Sequence, residues 1–127
     1  MRVFKVKAFG KWARKQGLGD KELNGAIQEI SDGLFDANLG GNVFKKRIAI
    51  KGQGKRGSTR TLIAFKIKDR AFFMYGFDKG ARSNIDRDEE KALKILGKTL
   101  LNWSDKELSK RIDDGELVEI TEVNDGR

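Results

Sequence analysis

The sequence predicts an α+β fold, with an N-terminal helical hairpin packed on an antiparallel sheet and further helices towards the C-terminus. Three observations carry this. Residues 8–30 hold two apolar patterns of helical period split by "GLGD". Residues 43–77 hold three runs rich in β-branched and aromatic residues, separated by turn-like links. Residues 86–112 return to helical spacing behind clusters of acids, which a helix start favours.

Taken in order, "RVFKVK" alternates as a short first strand. Ala8, Phe9, Trp12 and Ala13 then share one helical face until "GLGD" breaks the helix. Asp20 is placed to cap a second helix, in which Leu23, Ala26, Ile27 and Ile30 follow the i, i+3, i+4, i+7 pattern, and Gly33 ends it. The sheet strands are "VFKKRIAI" (43–50), "RTLIAFKI" (60–67) and "AFFMYGF" (71–77). The link "KDR" suits a tight hairpin, whereas "KGQGKRGS" is longer and basic. After "NIDRDEE", Ala92, Leu93, Leu96 and Leu100 mark the buried face of a third helix. "SDKE" at 104–107 is a capping box that opens a fourth, with Leu108 and Ile112 one turn apart. Gly115 stops it, and "ELVEITEV" reads as an edge strand. No repeat, linker or low-complexity segment divides the chain, so residues 1–127 are expected to form one domain.

Composition narrows the chemistry. There is no cysteine and no histidine, which removes disulfides, thiolate sites and the usual neutral-pH acid/base. No metal site and no cofactor are expected, and any catalysis must use Lys, Arg, Asp, Glu, Tyr or hydroxyls. No apolar run approaches the length of a membrane span. "MRVFKVKAFGKWARK" also lacks the apolar segment of a signal peptide, so the expected location is the cytoplasm with no membrane partner. The net charge of +8 is concentrated: residues 45–82 hold twelve bases and two acids, while residues 83–127 hold eight bases and twelve acids. A field of that kind attracts polyanions, nucleic acid first among them.

Strand parity sorts the bases, because successive side chains point to opposite faces. Phe44, Ile48 and Ile50 share a face that packs on the helices, with Lys46 the misfit of that set. Lys45 and Arg47 then look the other way. In the next strand Thr61, Ile63, Phe65 and Ile67 form the more apolar set, which puts Arg60 on the face shared with Lys45 and Arg47. Either this is the solvated side of a half-buried sheet or it is an anion site. Lys79 and Arg82 leave the third strand near the start of the second, hence near Arg60, and a cluster of like charges favours the anion site. The loop "KGQGKRGS" lacks the Walker spacing and joins two strands, so it is no nucleotide-binding loop. Its Lys51, Lys55 and Arg56, with Lys46, are candidates for nucleic-acid backbone contacts instead.

"VFKKR", "GKRGSTRTLIAF" and "FFMYGFDKGARSNI", in this order of elements, resemble the RelE/ParE superfamily of type II toxin–antitoxin toxins, most closely a HigB-like or RelE-like branch. The resemblance runs from about Val3 to Glu119. It implies a RelE-like small sandwich whose basic concave face takes messenger RNA on the ribosome. It also implies an endoribonuclease that inhibits translation by helping a 2′-hydroxyl attack the adjacent phosphate, and a cognate antitoxin that neutralises it. Carried over position by position, it points to Lys45, Arg47, Arg60, Lys79 and Arg82 as catalytic. Two departures stand out: Thr59 occupies a place where an aromatic is common, and Tyr75, the only tyrosine, reads as a strand or core residue. The rival reading is a non-cleaving binding module, or a gyrase poison of the ParE kind on the same fold.

Cleavage without metal or histidine needs a base, a counter-charge for the transition state and help for the leaving oxygen. Arginine forks suit non-bridging phosphate oxygens, the role that falls to Arg60 and Arg82. A lysine can serve as base where neighbouring cations lower its pKa, which points to Lys45, with Arg47 and Lys79 orienting the backbone. Phe77 and Trp12 are the aromatic candidates for stacking a splayed base.

Overall fold

The chain opens on a strand, β1 (Arg2–Val6), and turns directly into helix α1 (Lys7–Gln16). A computed structural model describes residues 1–50 and 58–120. Phe9 and Ala13 of α1 are buried and Trp12 is half-buried, whereas Ala8 faces solvent. Gly17, at a φ of 77°, takes the left-handed turn that ends the helix. Helix α2 (Asp20–Ser31) completes the hairpin and buries Leu23, Ala26, Ile27 and Ile30. Its N-cap is Gly19 rather than Asp20: Glu22 accepts the Gly19 N–H at 2.8 Å, while the Asp20 carboxylate pairs with Lys5 Nζ at 3.3 Å. The hairpin follows the first strand, in the order that the alternation of "RVFKVK" predicts.

Four strands come next: β2 (Ala37–Gly40), β3 (Val43–Ala49), β4 (Ser58–Lys66) and β5 (Arg70–Asp78). The short β2 has no counterpart among the expected strands; it pairs with β3. Helices α3 (Arg87–Leu101) and α4 (Asp105–Asp113) lead to the edge strand β6 (Leu117–Glu119). Among the described residues the sheet order is β2-β3-β4-β5-β1-β6. The expected antiparallel ladder holds from β2 to β5, but β1 runs parallel to β5, so the sheet is mixed.

Helices cover both faces of this sheet. On one, α1 and α2 pack on Ile48, Ile63, Phe65, Ala71 and Phe73, with the Phe9 and Phe73 rings stacked at 5.1 Å. On the other, α3 and α4 bring Leu100 and Leu108 onto Phe4, Val43, Ala64, Phe72 and Met74. Ala92, expected on the buried face of α3, is exposed. That face instead includes Gly97, whose bare Cα lets the helix settle on Val43 and Ala64. Among the described residues no helix is long and apolar enough to cross a membrane.

Candidate nucleic-acid interface

The α3 side of the sheet is only partly roofed, and the ladders place a defined set of side chains on the open part. Arg47 of β3 lies opposite Arg60 of β4, which lies opposite Phe77 of β5. The neighbouring row is Lys45, Leu62 and Tyr75. Tyr75 reaches this face through an irregularity. Leu62 pairs with Tyr75 but Ile63 pairs with Phe73, so Met74 is an extra residue that resets the alternation. Without that bulge Tyr75 would share the face of Phe73, under α1.

Carboxylates and a loop hold these groups in place. The Arg60 guanidinium lies 3.6 Å from Asp36, just before β2, and the Arg60 side chain is 12 % exposed. Arg82, in the segment after β5, lies over the Phe77 ring at 5.6 Å. Its Nε donates to the Asn84 carbonyl at 3.0 Å, and Nη1 donates to the Tyr75 hydroxyl at 3.3 Å. Two further bonds, of 2.9 and 2.5 Å, join its fork to both oxygens of Glu89. Glu89 also accepts the Asp86 N–H that caps α3. The Arg82 bonds, and after them the Asp86 N–H, push the Glu89 carboxyl down to about 2, and Glu89 in turn raises Arg82 above its ordinary value. Asn84 Oδ1 accepts from Lys45 Nζ at 3.5 Å, so the loop after Arg82 spans the face from β5 back to β3.

The chain matches a family model, "RelE toxin of RelE / RelB toxin-antitoxin system", over residues 1–120. The chain belongs to the RelE toxin family. It is therefore a toxin of a toxin–antitoxin system, and a cognate antitoxin is its partner. No curated protein matches it.

In this RelE-family toxin three of the five candidates, Lys45, Arg47 and Arg60, stand on one sheet face in adjacent rows. Arg82 joins them through Tyr75, Asn84 and Phe77. Most of its five donors are nevertheless spent on Glu89, Tyr75 and Asn84, which makes it a brace between β5 and α3. Lys79 is exposed in the turn that closes β5, next to the Thr59–Asp78 pair. Lys46 must be taken off the list of backbone contacts. It points to the opposite face, is buried, and pairs with Glu29 of α2 at 2.8 Å. The strand misfit is thus a lysine whose partner sits on a helix. Lys51, Lys55 and Arg56 lie outside the described residues. Of the stacking candidates, Trp12 lies on the far face against Gly76, and Phe77 is buried beneath Arg82. Sequence reasoning missed Tyr75 and Asp36. Nothing marks Asp36, while Tyr75 is hidden by the bulge.

Proposed function

We propose that the toxin is a metal-independent endoribonuclease of messenger RNA that acts on the ribosome and so stops translation. One observation supports this best: Lys45, Arg47 and Arg60, from two adjacent strands, share one partly open sheet face with the Tyr75 hydroxyl. The phosphodiester lies over the Arg47–Arg60 row. Lys45 takes the 2′-proton, the 2′-oxygen attacks phosphorus, and the 5′-oxygen leaves with a proton from water. The products are a 2′,3′-cyclic phosphate and a 5′-hydroxyl, and Lys45 returns its proton to solvent. Arg60 offsets the charge that grows on the non-bridging oxygens, Arg47 and Lys79 hold the flanking backbone, and Arg82 fixes Tyr75 and the Asn84 loop above the face.

The test is cleavage of a defined message by purified toxin, with and without ribosomes, read beside thermal melts. Wild type cuts only with ribosomes present. Arg60→Ala loses about 10²-fold in rate or more, the scale of one preorganised charge stabiliser. Arg60→Lys keeps the pair with Asp36 but loses the fork, and falls between the two. Growth arrest with intact message would overturn the nuclease reading, and broken DNA in those cells would move the toxin to gyrase poisoning.

A further inference from the structure

Helix α3 carries positive charge that the sheet-face chemistry does not use. Arg87, Lys91, Lys94 and Lys98 recur at helical spacing, so they project from one strip on the outer side of the helix. The buried side of α3 is formed by Leu93, Leu96, Gly97 and Leu100. Arg87, Lys91 and Lys98 are exposed and, among the described residues, have no ion pair; Lys94 pairs with Glu90 at 3.2 Å. Of the three acids of the first turn only Glu90 meets the strip, through Lys94; Glu89 is committed to Arg82, and Asp88 lies off the strip towards Ile95. At its far end, Lys94 and Lys98 meet Lys66 of β4 around a cleft of about 510 Å³ formed with Gly41 and Asn42 of the β2–β3 turn. The strip begins in the same helical turn as Glu89 of the brace and leads away from Arg60.

We propose that this strip is a second RNA surface, which binds the phosphate backbone of a folded, double-helical RNA while the sheet face takes single-stranded message. It rests on the nuclease reading only for the role of the sheet face. Four cations along about 17 Å of rigid helix, at 1.5 Å per residue, cannot follow a flexible strand; they suit a backbone whose phosphates are themselves fixed. Double-helical RNA is recognised by phosphate positions and shape rather than by bases, and lysines serve there as point charges. A protein partner would need an apolar centre in the patch. Along Arg87, Lys91, Lys94 and Lys98 the strip has none; the apolar side chains, Ile95 (70 % exposed) and Leu101, line the cleft at its far end.

The experiment measures binding of a defined RNA duplex, and of purified ribosomes, across a salt series. It compares wild type, Arg60→Ala and a Lys91→Glu, Lys94→Glu, Lys98→Glu triple variant. The duplex contains no message, so this readout is independent of cleavage. The triple variant is expected to bind the duplex more than tenfold more weakly, with the slope of log K against log salt reduced by about 2–3, close to one unit per lost phosphate contact. Its melting temperature should stay close to wild type, because the substituted side chains lie on the outer strip. Arg60→Ala should bind the duplex like wild type and fail to cut message. Unchanged affinity and slope in the triple variant overturn the proposal. So does a triple variant that keeps its RNA affinity but escapes neutralisation by the antitoxin, because the strip is then a protein surface. A wild type that binds duplex but cuts nothing removes the nuclease reading and leaves this one standing.

Discussion

Arg60 stands directly across the β3–β4 ladder from Arg47, and like charges placed opposite one another repel. Asp36 relieves that repulsion from the β2 side at 3.6 Å. Arg82 is in a different position, with Glu89 engaging it through both oxygens. This difference has a pH signature. The Glu89 carboxyl is lowered from 4.5 to about 2 in the folded chain. A depressed carboxyl stabilises the fold above its unfolded value, and that contribution is lost as pH falls through 4.5 towards about 2. Glu89→Gln is therefore expected to melt at a lower temperature than wild type at pH 7, with the gap closing below about pH 4. A gap that stays constant down to pH 2.5 would show that Arg82 does not depend on the Glu89 charge. At this scale strand alternation sorted Lys45, Arg47 and Arg60 onto one face from sequence alone, and it marked Lys46 as anomalous. It could not say why, because Glu29, which resolves the anomaly, belongs to a helix that meets β3 only in the folded chain.

The element that governs the site is β5, and its bulge is where sequence reading runs out. A period-two pattern tells which residues share a face only while the ladder is regular. Met74 breaks it, so Met74 and Tyr75 both turn towards α3, and Gly76 falls on the α1 side. There the Trp12 ring occupies the space that a Cβ at Gly76 would need. The bulge thus sets Tyr75 beside Arg82 and, in the same step, requires glycine at the next position. Gly76→Ala is expected to destabilise the chain by about 1–3 kcal/mol, as overpacking does. It should also weaken cleavage, because Tyr75 and Phe77 flank the strained residue. The cause can be isolated with Trp12→Ala: in the Gly76→Ala background that truncation should cost less than in wild type, measured by denaturant unfolding as a double-mutant cycle. Additive costs would mean that the ring does not set the limit. The helical hairpin, strands β3 to β5 and both C-terminal helices were legible because each buries a periodic face. The parallel pairing of β1 with β5 was not, since β1 meets a strand on the far side of α1, α2 and three other strands and no local signal encodes that choice.

Across the whole molecule, summed charge by segment misleads in one respect. The acid-rich stretch after residue 82 looks like a single negative block, yet α3 presents a basic strip and spends Glu89 on the site. The remaining acids sit mainly around α4 and β6, where Glu119 binds Arg2 through 2.9 and 3.0 Å contacts and Glu116 pairs with Arg111. Those elements lie at the β1 edge, away from β3 and Arg47, so they do not shield the basic face. What they do is close the second core. Leu108 and Leu117 are buried against a cluster that includes Phe4 and Phe72, and the Trp103 carbonyl accepts from Arg70 at 2.6 Å. Ending the chain after Leu101 would remove both leucines, and Ile120 from the opposite core, and leave the Phe4 and Phe72 rings open on that side. At about 1.5–3 kcal/mol per buried aliphatic side chain, the loss is roughly 5–9 kcal/mol against a total stability of about 5–15 kcal/mol. Residues 1–101 should therefore show no cooperative thermal transition and no toxicity, although every sheet-face residue is retained. A truncated chain that melts cooperatively would show instead that the N-terminal core is self-sufficient, and that the acidic segment is free to serve a partner.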